Sequence, residues 1–229
     1  MSKHIFLCFF SGFLILSCGS KKEVVKKTPE KKEVYINTQE DVSIAGTVDF
    51  EDEESLSIYS AILKNVTGDK SGAYIGNHMD KLAGTLKNEM SYAELLRAGE
   101  GLILEFNTNS DLYFDTGKTS LNSSSEKVLD KLATALVKYP KVNVIIETHT
   151  DNSGDEAVNM KMTNERVSSI EAYLVEKGID QSRLKLKAFG ENQPKYKNDT
   201  AENRAKNRRV EFGFYASEAL KDEARNMTD

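Results

Sequence analysis

Between Leu102 and Phe214 the apolar residues change period several times, and this alternation constrains the fold more than any other feature of the chain. Leu102, Leu104 and Phe106 recur every second residue, as on one face of a strand. Leu112 to Phe114 reads as another short strand. Val128, Leu129, Leu132, Leu136 and Tyr139 recur at helical spacing, which predicts an amphipathic helix over 124–138, with Pro140 just past its end. Val142, Val144 and Ile146 return to the strand period. A second helix is predicted over 155–177, with Val158, Met162, Ile170 and Leu174 inward and Gly178 in the helix-stop position. Leu184 and Leu186, then Val210, Phe212 and Phe214, give two more strands. A mixed sheet with helices packed on one face is the simplest layered solution for this order. The expected fold class is α/β, an α+β sandwich, over residues 100–216. Residues 217–229 read as a polar, frayed helical tail.

Composition excludes several classes of function. The formal charge is −5, which argues against a general nucleic-acid binder, because phosphate neutralisation needs clustered Lys and Arg. Arg204, Lys206, Arg208 and Arg209 do form a short basic run, expected to neutralise local carboxylates and line a pocket. Both cysteines, Cys8 and Cys18, lie near the N-terminus, so no disulfide framework supports the domain. Three scattered histidines and no thiol beyond Cys18 give no metal-ligand spacing, and no metal or cofactor is expected. His149 beside Asp151 suggests acid–base chemistry, but no serine or cysteine nucleophile is patterned near them. The expectation is a binding protein, not an enzyme, with His149 a hydrogen-bonding residue at a strand end and His78 without a special role.

The N-terminus reads as an address. Lys3 and His4 precede an apolar run, Ile5 to Leu16, that is too short for a spanning helix. Ile15-Leu16-Ser17-Cys18 then resembles a bacterial lipobox, with Ile15 and Leu16 departing mildly from its usual residues. That resemblance implies a lipoprotein signal peptide over 1–17 and acylation, palmitate included, of Cys18. Residues 18–40 follow as a charged tether, rich in Lys and Glu, with almost nothing to bury. Residues 41–99 read as a helical connector. Leu56, Ile58, Tyr59, Ile62, Leu63 and Val66 suit a short helix, and Gly68, Gly72 and Gly76 would share one helical face. The run Gly72-Ala73-Tyr74-Ile75-Gly76 resembles the glycine-zipper segment that precedes such domains in some outer-membrane lipoproteins. It implies self-association or an envelope protein partner through 41–99.

The residues that carry chemistry follow the third strand. Glu147-Thr148-His149-Thr150-Asp151 runs into the turn Asn152-Ser153-Gly154, after which a helix begins. Asp151 should therefore sit at a strand-to-helix mouth, beside exposed helix N–H groups. Arg166 shares a helical face with Met162 and Ile170, and a half-buried arginine needs a partner. The two offer one fixed anion and one fixed cation, which a zwitterion with adjacent ammonium and carboxylate would fit. The same two could instead form a mutual salt bridge, and the residues alone leave both readings open.

Beyond these residues, the domain resembles the OmpA-like, or OmpA/MotB-type, C-terminal domain along residues 101–215. The matching pieces are Leu112-Tyr113-Phe114-Asp115-Thr116-Gly117, His149-Thr150-Asp151 with Gly154, and Asn159 followed by Arg166. They continue with Tyr173-Leu174, Lys177-Gly178-Ile179, Gly190-Glu191 with Pro194, Asn203-Arg204 and Asn207-Arg208-Arg209-Val210-Glu211. The resemblance implies non-covalent binding of peptidoglycan through the diaminopimelate of its stem peptide. In it Asp151 accepts from the diaminopimelate ammonium and Arg166 holds its carboxylate. Asn159, Thr116, Gly117 and Ser153 add smaller contacts, and Arg208 lines the pocket. Thr148 stands where the family usually has Gly, and Val158 where an aromatic residue is common. The implied whole is a lipid-anchored protein of the outer membrane, facing the periplasm and tethering membrane to wall. The rival is an envelope adaptor in which 41–99 binds a protein partner and wall binding is secondary.

Overall fold

The computed structural model describes residues 57–90 and 93–228. The expected signal peptide, Cys18, the tether and the first part of the 41–99 segment lie outside the described residues. Among the described residues, six α-helices and five strands run in the order α1 Ile58–Leu63, α2 Ser71–Glu89, β1 Glu94–Ala98, β2 Gly101–Asn107, α3 Ser123–Lys138, β3 Val142–His149, α4 Glu156–Glu176, β4 Leu184–Gly190, α5 Ala201–Asn207, β5 Arg209–Ala216 and α6 Glu218–Thr228. The strands form one mixed sheet in the order β1-β2-β5-β3-β4. Only β3 and β4 are parallel, joined by the α4 crossover. The other pairs are antiparallel, with β5 between β2 and β3.

Strand alternation sets which side chains meet the helices. Leu102, Leu104 and Phe106 of β2, Val142, Val144 and Ile146 of β3, and Val210, Phe212 and Phe214 of β5 point to one face. There they pack with Val128, Leu129, Leu132 and Leu136 of α3 and Ile170 and Leu174 of α4 in a single core. Local chemistry ends the two central helices where the sequence says it should. Asn122 caps α3 by accepting from the Ser125 N–H at 2.9 Å. At the end of α4, Gly178 takes φ +90°, and the Gly178 and Ile179 amides donate back to the Val175 and Leu174 carbonyls at 2.9 and 3.0 Å. This is the double bond pattern of a glycine-terminated helix.

Four sequence expectations need correction. Leu112 to Phe114 is not a strand. Leu112 and Phe114 are buried, but the Tyr113 amide donates to Ser125 Oγ at 3.1 Å, and its carbonyl accepts from the same hydroxyl at 2.7 Å. Side chains of α3 satisfy the backbone there in place of a ladder. Second, α4 is rotated from the expected face. Val158 is 56% exposed, while Thr163 and Val167 join Ile170 and Leu174 against the sheet. Third, the described part of 41–99 is not a free connector. In α2, Ile75, Met79, Leu82 and Leu86 are buried in the main core, and β1 is the edge strand of the sheet. Gly68 precedes α2 with φ +67°, so the three glycines share no helical face. A side chain at Gly72 would meet Glu100, and one at Gly76 would meet the Arg97 guanidinium. The chain's own β1–β2 turn therefore fills that surface. Fourth, the tail is a docked helix: Leu220 and Ala224 of α6 are fully buried in the same core.

The second face of the sheet is partly covered as well. Ile58 and Ile62 of α1 pack on Ile103 and Ile145, and a side chain at Gly213 would meet Ile58 Cγ1 at 2.6 Å. The rest of that face carries a buried charged layer: Glu105, Glu147, Lys187, Arg209 and Glu211 are all nearly inaccessible. Lys195 Nζ lies 2.5 Å from Glu105 Oε2, and Arg209 Nε lies 2.5 Å from Glu211 Oε1.

Candidate functional site

A cavity of about 620 Å³ opens where β3 ends. Its walls come from the 112–117 loop, the 148–153 segment, α4 and the start of β5. Among them are Phe114, Thr116, Gly117, Asp151, Ser153, Asn159, Arg166 and Arg208. All seven ligand-contact residues expected from the sequence thus line one cavity.

Asp151 closes the turn after β3. Its Oδ1 accepts from the Ser153 amide at 2.8 Å, and its Oδ2 accepts from Arg208 Nη1 at 2.5 Å. Burial pulls the Asp151 carboxyl upward, but the hydrogen bonds from Ser153 and Arg208 and the Arg208 charge outweigh it and hold the group below its ordinary value. Asp151 sits at the strand-to-helix mouth as expected, but it does not bond the N-terminus of α4. Asp155 caps that helix, accepting from the Ala157 and Val158 amides at 2.9 and 3.1 Å. The anionic acceptor of the cavity is therefore not spent on the helix end.

Arg166 is 8% exposed. Its Nε donates to the Lys118 carbonyl at 2.9 Å, its Nη2 donates to the Asp115 carbonyl at 3.4 Å, and its guanidinium lies 4.9 Å from the Phe114 ring centre. Neutral acceptors and an aromatic face thus hold the cation. Among the described residues no carboxylate lies within ion-pair distance of it. Burial, and then repulsion from Arg208, lowers its pKa to about 10. Asp151 and Arg166 therefore do not form the mutual salt bridge that the residues alone left open. The ion pair of Asp151 is to Arg208, whose side chain remains 39% exposed.

The remaining expected contacts differ in kind. Asn159 is buried and acts as a bracket, donating from Nδ2 to the Ser153 carbonyl at 3.2 Å and to Glu191 Oε2 at 2.8 Å. Thr116, Gly117 and Ser153 are exposed at the rim, and Gly117 has φ +69°. His149 is not the hydrogen-bonding residue expected. Both ring nitrogens are buried without a partner, and the ring stacks on Phe189 at 5.1 Å and 16°. Burial drives its pKa well below the ordinary value, so the ring is neutral. The basic run neutralises local carboxylates as expected at three positions: Lys206 with Glu202, Arg208 with Asp151 and Arg209 with Glu211. Sequence reasoning assigned no role to Phe114 or Tyr113. The signal was present in the Leu112-Tyr113-Phe114 alternation, but read as a strand it did not place an aromatic under Arg166.

A five-stranded mixed sheet, its main helical layer on one face and α1 on the other, with a preset cation and anion in one cavity, defines a small α/β domain. The model of the OmpA family matches residues 113–208, so the chain carries an OmpA family domain there. The chain is 32% identical over 143 residues to the probable lipoprotein YiaD of Escherichia coli K12, covering 62% of this chain and 64% of that protein. It is 39% identical over 109 residues to outer membrane protein A of Bordetella avium, covering 48% of this chain and 56% of that one. The chain thus spans less than two thirds of the length of either relative. A MotB-like protein of Desulfovibrio vulgaris shares the fold at 22% identity and a TM-score of 0.54, over 70% of this chain and 97% of that one.

Proposed function

We propose that this domain grips peptidoglycan without covalent chemistry, taking the free amino-acid end of the stem-peptide diaminopimelate into the cavity. The observation that carries the reading is Arg166, a buried cation preset toward a cavity that it shares with Asp151, with no carboxylate of its own among the described residues. Of the five guanidinium donors, Nε and one Nη2 hydrogen are used within the fold, which leaves Nη1 to pair with a ligand carboxylate. Asp151 accepts the ligand ammonium alongside Arg208, and the exposed Arg208 side chain swings to admit it. Thr116, Gly117 and Ser153 supply rim contacts, and Asn159 keeps the 151–153 turn in register.

In the whole protein this grip is one of two anchors. Acyl groups on Cys18 hold the outer membrane, residues 18–40 span toward the wall, and the domain faces the periplasm. Each anchor then acts at the high effective concentration set by the other, so one stem peptide need be held only modestly. The test is sedimentation with purified peptidoglycan. Asp151→Ala and Arg166→Ala should each lose about 2–5 kcal/mol of binding while remaining folded. Wall material whose diaminopimelate carboxylate is amidated should bind wild type equally poorly. Full binding by both variants would overturn the reading.

A further inference from the structure

The two charges that line the cavity come from separate pieces of chain. Asp151 follows β3, and Arg166 projects from α4. The hydrogen bonds of Arg166 go to the 115–118 loop, so they do not set how far its guanidinium stands from Asp151. That span depends on how α4 is seated along the ends of β3 and β4.

Three hydrogen bonds close a ring across these elements. The Thr150 amide donates to the Gly190 carbonyl at 2.8 Å, the Gly190 amide donates to the Thr163 hydroxyl at 3.0 Å, and the Thr148 hydroxyl donates to the Thr163 carbonyl at 2.9 Å. Thr148 and Thr163 are buried, so water does not compete for these groups. Thr163 passes its own proton back to a carbonyl of α4, that of Met160 at 2.9 Å or Asn159 at 3.1 Å. The ring sits where the sheet changes register. Thr148 pairs with Ala188 but His149 with Gly190, so β4 carries one extra residue there. Gly190 takes φ +52°, and a side chain on it would meet the Met160 backbone N at 3.0 Å, so the backbone of α4 rests directly on this bulge.

Asp151 comes one residue after Thr150, and Arg166 lies three residues after Thr163 on the same helical face. Sliding α4 by one residue would carry the guanidinium ~1.5 Å along the helix axis. A preorganised binding pair tolerates only about 0.5 Å. We infer, resting on the diaminopimelate reading of the cavity, that Thr148 and Thr163 are positioning residues whose ring of hydrogen bonds sets the span between Asp151 and Arg166. A ligand that bridges both charges depends on this ring, and a ligand held by Asp151 alone does not. Asn159 ties the Ser153 carbonyl to the same helix, so loss of the Thr148 hydroxyl slackens the span without releasing the turn.

Thr148→Val removes the hydroxyl at nearly the same shape, and the Thr163 carbonyl keeps its bond within α4, so the fold should survive. Two soluble stem-peptide fragments, one with the diaminopimelate carboxylate free and one with it amidated, are titrated by NMR into the full chain in detergent. Thr148→Val should bind the first about tenfold more weakly and the second within about twofold of wild type, the size of coupling expected between residues in one hydrogen-bond network. Thr148→Ser should restore the wild-type preference. Thr163→Val, which strips the Gly190 amide of its acceptor, should show the same split with a lower melting point; where it fails to fold, Thr148→Val decides. Equal losses for both fragments, or a preference left intact in Thr148→Val, would make the ring merely structural and overturn the inference. If wild type itself shows no preference for the free carboxylate, the reading of the cavity fails with it.

Discussion

Arg166 is the residue where charge and geometry can be separated. Lysine keeps the positive charge but loses the planar fork that reaches the Lys118 and Asp115 carbonyls while presenting Nη1 to the cavity. Arg166→Lys should therefore weaken peptidoglycan binding by at least about tenfold, near 1.4 kcal/mol. It should also lower the denaturation midpoint, because a buried carbonyl loses its donor. Titration calorimetry with a soluble stem-peptide fragment, alongside thermal melts, checks both. That Asp151 and Arg166 share one cavity was legible in the sequence, because few other arrangements of a post-strand aspartate and a mid-helix arginine keep both near the same mouth. Their partners were not legible. Asp151 and Asp155 are both acidic residues near a helix start, and only the backbone path decides that Asp155 is the cap. His149 reads as polar, yet its ring is spent on Phe189.

Among the elements, those with long, regular patterns were placed correctly along the chain, although the inward face of α4 was not. α3, α4, β3 and β5 follow from their apolar periods, and Gly178 ends α4 because it alone there takes a positive φ without strain. Two short elements were not read as packed parts of the domain. β1 offers five residues with mixed burial, and α6 shows only Leu220 and Ala224 inward in an otherwise charged segment. Two apolar residues at i and i+4 do not separate a docked helix from a solvated one until α2 is known to lie beside it. α6 is nonetheless a structural element: Glu223 accepts from the Tyr74 hydroxyl at 2.9 Å and from Lys141 Nζ at 2.6 Å, tying α2 and the start of β3 to it. Leu220→Ala should cost about 2–5 kcal/mol, the range for a buried leucine whose site cannot collapse. Urea unfolding reads this as a lower midpoint with an unchanged slope. A loss below about 0.5 kcal/mol, the range of surface substitutions, would return α6 to the status of a frayed tail.

For the molecule as a whole, binding and stability should respond differently to pH, because different groups govern them. Asp151 is held below its ordinary value and Arg166 titrates near about 10, so both cavity charges persist from mildly acidic to mildly alkaline pH. Stability depends on the buried layer behind the sheet. Burial, reinforced by Glu211, pushes the Glu147 carboxyl up to about 8, against the opposing pull of Lys187, Arg209 and the Ile58 N–H. The folded state therefore holds this proton more tightly than the unfolded chain, whose value is near 4.5. Its contribution is complete below that value and is lost as pH rises through about 8. His149 works in the opposite sense: kept neutral by burial and by Arg209 and Lys195, it contributes above its ordinary 6.5, and that contribution is lost as pH falls below it. Between 4.5 and 6.5 the Glu147 and His149 slopes oppose each other, and above 6.5 the Glu147 slope continues unopposed by His149, with Glu105, held above its ordinary value by burial and by Glu211, acting in the same sense. Unfolding free energy should thus fall from pH 6.5 to 8 by on the order of 1–2 kcal/mol, since one proton contributes at most about 1.4 kcal/mol per pH unit. Glu147→Gln, which keeps the shape of the protonated acid and can still accept from Ile58, should flatten that decline. Peptidoglycan sedimentation over the same interval should stay level in both proteins. A decline that survives in Glu147→Gln would remove this carboxyl from the account, and binding that tracks the stability curve would mean that the cavity and the charged layer titrate as one unit.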